Sequence, residues 1–315
     1  MYKLLIGFAV CLSFVNAKEI APTYKLYSTG LVSDFIVHKN TLYASTNNAT
    51  VDIFDLKTKK IINQIILSKI TTRSGEQITP RILSVDYYNN KLLIVSSGLN
   101  GFSNVWIYEN YLLKNIVDEQ RKLTIKEARF IDDERIIFGT FGSEIILHDT
   151  AENYHVYKSN ISQSALGDFA LSANKNKMVM ADEGGEVKLI DIKSSRIEQI
   201  YSSENVDHLF HVAYSNGVII TAGKDRRVAV YQNNKKAYHI KSDFFVYCVG
   251  LSPSAKIGIY SSGEAHNLQL FSPQTGKKGD YLVGNTSVVN QIKFINENEL
   301  FSSQNTNEIL FYKLK

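Results

Sequence analysis

The amino-acid sequence predicts an all-β fold, a seven-bladed β-propeller closed by its N-terminal strand. Three observations carry that prediction. A word made of strand, turn, strand, small polar turn and third strand recurs seven times, and its third strands end at Asp55, Tyr108, Asp149, Asp191, Tyr231, Phe271 and Tyr312, which are 53, 41, 42, 40, 40 and 41 residues apart. That spacing is the pitch of propeller blades, each of which buries its apolar faces only against its neighbours. Aligned on these anchors, all seven repeats share three apolar columns. The seventh repeat leaves no room for a fourth strand before Lys315, whereas Thr23-Tyr-Lys-Leu-Tyr-Ser28 precedes the first repeat and is similar to the fourth-strand segment Ala237-Tyr-His-Ile-Lys-Ser242. Pairing the two ends closes the ring and covers two exposed strand edges.

Each element follows in order from local chemistry. The first column holds Val32, Ile82, Ile125, Leu166, Leu209, Val246 and Val289, and the second holds Phe35, Val85, Ala128, Phe169, Val212, Val249 and Ile292. The third holds Val37, Tyr87, Phe130, Leu171, Tyr214, Leu251 and Phe294. The last two columns are two residues apart, which places both on one face of a strand, and all three columns are expected to be core. Turns rich in Asn, Asp, Ser and Gly follow, as at 215–217 and 252–256, because these residues tolerate or stabilise tight turn geometry. A β-branched or aromatic run such as 217–222 makes the second strand, a further polar turn such as 182–185 leads to the third, and a weaker fourth strand is expected in most repeats, for example at 61–67, 197–201 and 236–241.

Residues 1–17 contain one Lys, an apolar run from Leu4 to Val15 and the small-x-small ending Val15-Asn16-Ala17. This is the pattern of a secretory signal cleaved before Lys18. The run is too short to cross about 30 Å of hydrocarbon, and Val10 before Cys11 does not suit a lipoprotein signal. The expected organisation is therefore a signal peptide at 1–17 and a propeller at 18–315. Loss of Lys3 leaves 34 basic and 31 acidic residues, with Cys248 as the sole cysteine. No internal disulfide is then possible, so a large apolar core must supply stability. The small positive charge is scattered and basic residues do not cluster with aromatics, which excludes a nucleic-acid partner. Abundant Lys, Ile, Asn and Tyr with scarce Arg suit an AT-rich bacterial genome, so a periplasmic monomer, not inserted in the membrane after signal removal, is expected. The Asn-x-Ser/Thr sequons at Asn48, Asn160 and Asn285 carry no meaning in that compartment.

The sequence contains no motif that demands catalysis. The single Trp106 falls in a third strand, where an aromatic is expected to pack. There is no Cys-x-x-Cys-His for covalent haem, no Gly-x-Ser-x-Gly elbow and no phosphate-binding glycine loop. His208 and His211 are three apart, which on a strand points them to opposite faces, so no metal, cofactor or catalytic residue is assigned.

Two irregularities stand out against this background. The position before the second apolar column is polar or reactive in every repeat, namely Asp34, Ser84, Glu127, Asp168, His211, Cys248 and Gln291. First strands line a propeller's axis, so these residues are expected as a ring near one channel mouth. They form either a solvated wall or a polar-ligand site built on Asp34, Glu127, Asp168 and His211. The second irregularity is an insertion of about ten residues at 68–80, far longer than the usual connection. Long loops on rigid scaffolds carry recognition, so Arg73, Glu76 and Arg81 are candidate partner-binding residues.

Segments such as Phe245-Val-Tyr-Cys-Val-Gly-Leu-Ser-Pro-Ser-Ala-Lys256 and Gly223-Lys-Asp-Arg-Arg-Val-Ala-Val-Tyr231 resemble WD40-like repeats, a resemblance that covers residues 24–315. Gly-His before the first strand is absent and Trp-Asp is replaced by Phe-Asp, Ile-Asp or Tyr. The buried His/Asp/Ser/Trp network of that family is therefore expected to be mostly missing. Within WD40-like proteins, Gly30-Leu-Val-Ser-Asp-Phe35, Asp168-Phe-Ala-Leu-Ser172, Ala181-Asp-Glu-Gly-Gly-Glu-Val-Lys-Leu-Ile-Asp191 and Lys224-Asp-Arg-Arg-Val-Ala-Val-Tyr231 resemble the NapL family of exported accessory proteins of the periplasmic nitrate reductase. That resemblance implies a non-catalytic scaffold supporting the assembly, maturation or upkeep of nitrate reductase components. Alternatives are a general periplasmic or outer-membrane assembly platform, and a propeller hydrolase or lactonase with a metal in its channel.

Overall fold

A computed structural model describes residues 17–314; residues 1–16, which hold nearly all of the expected signal, lie outside the described residues. The chain forms seven blades, each built on four antiparallel strands. Blade 1 comprises Val32–His38, Thr41–Thr46, Thr50–Asp55 and Lys60–Ile66, and blade 2 comprises Ile82–Tyr88, Lys91–Ser97, Ser103–Glu109 and Leu112–Val117. Blade 3 comprises Ile125–Phe130, Arg135–Thr140, Glu144–Asp149 and Tyr154–Asn160, and blade 4 comprises Leu166–Leu171, Lys177–Asp182, Val187–Asp191 and Arg196–Tyr201. Blade 5 comprises Leu209–Ser215, Val218–Gly223, Arg227–Gln232 and Tyr238–Lys241, and blade 6 comprises Val249–Leu251, Gly258–Ser262, Asn267–Phe271 and Lys278–Leu282. Blade 7 takes Val289–Phe294, Glu299–Gln304 and Glu308–Lys313 from the end of the chain and Tyr24–Tyr27 from its beginning.

The ring closes through this last pairing, as the ends of the sequence predict. Tyr24 lies opposite Phe311, Lys25 opposite Leu310, Leu26 opposite Ile309 and Tyr27 opposite Glu308. Leu26 is buried, and the Tyr24 ring stacks on Phe311 with centroids 4.7 Å apart. A second clasp was not legible in the sequence. Glu19–Ile20 adds to blade 6 as a parallel fifth strand beside Tyr281 and Leu282, and the Lys18 N–H donates to Asp280 Oδ1 at 2.9 Å. The N-terminal segment thus ties two neighbouring blades.

All members of the first two apolar columns are buried between blades. The third column departs from expectation, since only Phe130 is fully buried and the other six are half-buried. The pairing explains the three-residue spacing between the first and second columns. In blades 1, 2, 3, 4, 5 and 7 the first strand leaves one residue unpaired between these columns, Leu83 in blade 2. A β-bulge of this kind keeps both columns facing the core and re-aims the side chain between them. Three of those re-aimed side chains reach a carbonyl of the next blade: Ser33 donates to Ile82 O at 2.5 Å, Lys126 to Leu166 O at 2.8 Å and Asn290 to Val32 O at 2.7 Å. In blade 4 the bulge is Gly167, where a Cβ would lie 2.0 Å from Leu209 O.

A buried polar network is present in substituted form in blades 5 and 7. In blade 5, Thr221 Oγ1 and the Tyr231 hydroxyl donate to Asn205 Oδ1 at 2.9 and 3.3 Å, while Asp225 Oδ2 accepts the Val206 N–H at 3.0 Å. In blade 7, Ser302 Oγ donates to Asn285 Oδ1 at 3.2 Å, the Asn285 amide donates to the Tyr312 hydroxyl at 3.3 Å, and Gln304 Oε1 accepts the Thr286 and Ser287 N–H groups at 2.6 and 2.9 Å. Asn stands where the family pattern has His, and Tyr where it has Trp. Buried polar groups need partners rather than particular residue types, so this replacement keeps the loop between blades tied to the sheet.

Candidate functional site

First strands converge on the axis, and the half-buried third column ends up at one mouth of it. A cavity of about 680 Å³ opens on the face that carries the turns between first and second strands. Val37, Leu171, Tyr214, Leu251 and Phe294 form an apolar collar, and Glu127, Asp168, His211, Gln291, Arg129 and Lys293 form a polar floor. Sequence reasoning missed Arg129 and Lys293. Their signal was two cationic residues at a position, two after the polar column, that is mostly apolar in the other repeats.

The floor is an ion-pair network. Arg129 Nη2 lies 2.5 Å from Glu127 Oε1 and 3.3 Å from Asp34 Oδ2, and Lys293 Nζ lies 2.8 Å from Asp34 Oδ1. Burial alone would raise the Asp34 carboxyl, but Lys293 and Arg129 outweigh it and hold the group below the usual carboxylate range. Glu127 behaves in the opposite way. Burial, reinforced by the nearby Asp168 and Asp34 carboxylates and only partly offset by Arg129, pushes it up to about 8. Burial also raises Asp168, which shares a hydrogen bond with Glu127. His211 would be lowered by burial, yet Cys248, Gln291 and Glu127 around it raise it overall. Its Nε2 lies 3.3 Å from Gln291 Oε1 and 3.5 Å from Asp168 Oδ2.

A pH dependence follows from Glu127. The folded chain keeps this proton while the unfolded chain releases it, so the stability that Glu127 contributes is fully present below about pH 4.5 and is lost as the pH rises towards about 8. Glu127→Gln is expected to flatten the fall in unfolding free energy across that window, measured by urea denaturation at successive pH values. An unchanged slope would show that Glu127 ionises normally in the fold.

The seven predicted ring residues do not all face the channel. Glu127, Asp168, His211 and Gln291 line the cavity, whereas Asp34, Ser84 and Cys248 are buried and do not line it, Asp34 lying against the floor cations Arg129 and Lys293 and Cys248 against His211. The column has a structural role that its polarity concealed. Asp34 Oδ2 accepts the Val85 N–H at 3.1 Å, Ser84 Oγ accepts the Ala128 N–H at 3.2 Å and Asp168 Oδ2 accepts the Val212 N–H at 2.9 Å. Each acceptor serves the second-column residue of the next blade, where neighbouring inner strands form no ladder of their own. Among the described residues, no three His, Cys, Asp or Glu side chains are placed to hold one metal ion. Trp106 is half-buried and donates to Ser96 Oγ at 3.1 Å.

The insertion at 68–80 is a small β-hairpin rather than an irregular loop. Ile70–Thr71 pairs with Gln77–Ile78, and Gly75, at φ +87°, turns the tip, where its N–H donates to Thr72 O at 3.0 Å. Arg73 and Glu76 are exposed at this tip. Arg81, also exposed, sits apart at the start of blade 2, with its N–H on Ser97 Oγ at 2.9 Å. The three candidate residues are therefore not one contiguous cluster along the hairpin.

No known family profile matches the chain, and no curated protein matches it. Among solved structures it is similar to the β-propeller domain of Cps50 (Swd1) from Myceliophteria thermophila, with a TM-score of 0.72 over 93% of this chain and 99% of that one, at 13% identity. The chain has a seven-bladed β-propeller fold. The propeller carries its two distinctive features on opposite faces. The hairpin precedes a first strand and the cavity lies at the far ends of those strands, so a partner gripping one face leaves the other open.

Proposed function

We propose that this propeller is a non-catalytic platform for other proteins, exported to the periplasm, where it supports the assembly, maturation or upkeep of the periplasmic nitrate reductase. The observation that carries the platform reading is the closed ring with two differently built faces, one bearing a projecting hairpin and the other a cavity. Rigid scaffolds of this kind present loops to partners without needing chemistry of their own. The link to nitrate reductase rests on the resemblance of residues 30–35, 168–172, 181–191 and 224–231 to NapL-type accessory proteins.

A strain lacking this protein is expected to show lowered periplasmic nitrate reduction with its reductase genes intact. Normal activity at several nitrate and oxygen levels would contradict the nitrate reductase assignment and leave the outer-membrane assembly reading. A hydrolase or lactonase with a channel metal is not favoured, because Asp34 is committed to Lys293 and Arg129 and does not face the cavity with Glu127, Asp168 and His211.

A further inference from the structure

We infer that the axial cavity binds an aliphatic cation, an ammonium group carried on an apolar stem, as in a lysine side chain or a free alkylamine. The inference goes beyond the platform reading and does not depend on it, since a free amine and a partner's lysine present the same chemistry. The shape of the cavity is the first support. Its lining combines an apolar collar, with Lys39 and Asn296 beside it, and a polar floor, an arrangement that suits a stem along Leu171, Tyr214, Leu251 and Phe294 with a charged head below.

The balance of donors and acceptors on the floor selects the sign of that head. The cations are already engaged: Arg129 donates through Nη1 to Val85 O and Ala128 O at 3.3 and 3.1 Å and through Nη2 to Asp34 and Glu127, and Lys293 donates to Asp34 and to Phe35 O. The acceptors keep capacity. The four oxygens of Glu127 and Asp168 take one guanidinium contact, one backbone N–H, a 3.5 Å approach from His211 and the hydrogen bond they make to each other. Gln291 Oε1 adds an acceptor that meets only a 3.3 Å contact from His211 Nε2. An ammonium brings three donors and no acceptor, which matches these acceptors, whereas an anion would find the Arg129 and Lys293 donors already engaged.

The carboxyl pair also accounts for the proton. Two buried carboxylates in contact disfavour double ionisation, and burial raises both Glu127 and Asp168, so the pair is expected to hold one proton near neutral pH. An entering ammonium takes the place of that proton, which leaves Glu127 for solvent, so the net charge of the floor is unchanged by binding. The charged and titratable groups facing this pair are Arg129, Lys126, Asp34, Asp86, His211 and Lys293, with Lys39 at the mouth. Of these, Arg129, Lys293, Lys126 and Lys39 oppose a further cation, and the ion pairs that Arg129 and Lys293 make with Asp34 moderate their share of that opposition.

Titration calorimetry tests the inference on the chain from residue 18 onward, at about pH 7 in two buffers of different ionisation heat. The probes are n-pentylamine and Nα-acetyl-L-lysine methylamide, with Nα-acetyl-L-norleucine methylamide as the uncharged control. Binding is expected with release of up to one proton per ammonium, and Glu127→Gln or Asp168→Asn is expected to weaken it by about tenfold or more. Binding of both probes supports an amine site, and binding of the lysine derivative alone supports a protein side chain as occupant. The inference is overturned by absence of binding up to about 10 mM, by equally tight binding of the norleucine control, or by binding without proton release. The proton count is read on the unaltered chain, so it stands even where a variant fails to fold.

Discussion

A chain lacking residues 18–30 is expected to show no cooperative unfolding transition. The deletion removes Tyr24–Tyr27, leaving Glu308–Lys313 as an unpaired edge, and uncovers the cluster in which Leu26 touches Phe301, Ile309 and Phe311. It also removes Ser28 and Thr29, which hold the fully buried Asp52 carboxylate; the Thr29 N–H and Oγ1 donate to Asp52 Oδ2 at 2.7 and 2.9 Å. The parallel strand on blade 6 goes with them. Losing one buried Leu costs about 2–5 kcal/mol, and leaving the buried Asp52 carboxylate with Gln64 Nε2 in place of its Ser28 and Thr29 donors costs about 1–3 kcal/mol more, against a typical total stability of about 5–15 kcal/mol. A differential scanning calorimetry trace in which the truncated chain melts like the full one would refute closure by this segment.

Asp34→Ala is expected to destabilise the fold by about 3–5 kcal/mol, the range for breaking a buried ion pair by removing one partner. Asp34, in blade 1, is the point where four blades meet. Its carboxylate takes the Val85 N–H of blade 2, the Arg129 guanidinium of blade 3 and the Lys293 ammonium of blade 7. Without it, both cations stay buried with fewer partners and a buried backbone N–H loses its acceptor. Asp34 is held below its usual range, so its contribution is present above the unfolded value near 3.8 and is lost as the pH falls through the lower folded value. This is the reverse of the Glu127 dependence, and the two variants should therefore change opposite limbs of the stability profile. Urea denaturation measures both, and a loss within about 1 kcal/mol for Asp34→Ala would mean that water screens the network as it screens a surface pair.

The parts of this fold that repeat were legible in the sequence, because burial between blades imposes the same demand seven times. The first two apolar columns, the strand anchors and the closing segment at 23–28 all follow from that demand. The third column misled because apolar residues also line a cavity mouth, as Leu171, Tyr214 and Phe294 do. The polar column misled in part because a side chain that caps the next blade's N–H and one that faces the axis require the same chemistry, so Asp34 and Asp168 look alike in sequence and differ in surroundings. Asn205 with Tyr231, and Asn285 with Tyr312, were invisible because a polar network was sought by residue type rather than by donor and acceptor.

Affinity capture from periplasm with the tagged full chain tests the platform reading most directly. The account predicts recovery of nitrate reductase components with the unaltered chain and their loss when Arg73, Glu76 and Arg81 are replaced together, the variant melting as the parent does because all three side chains are exposed. Recovery of no partner at all, from cells actively reducing nitrate, would contradict the claim that this propeller is a platform.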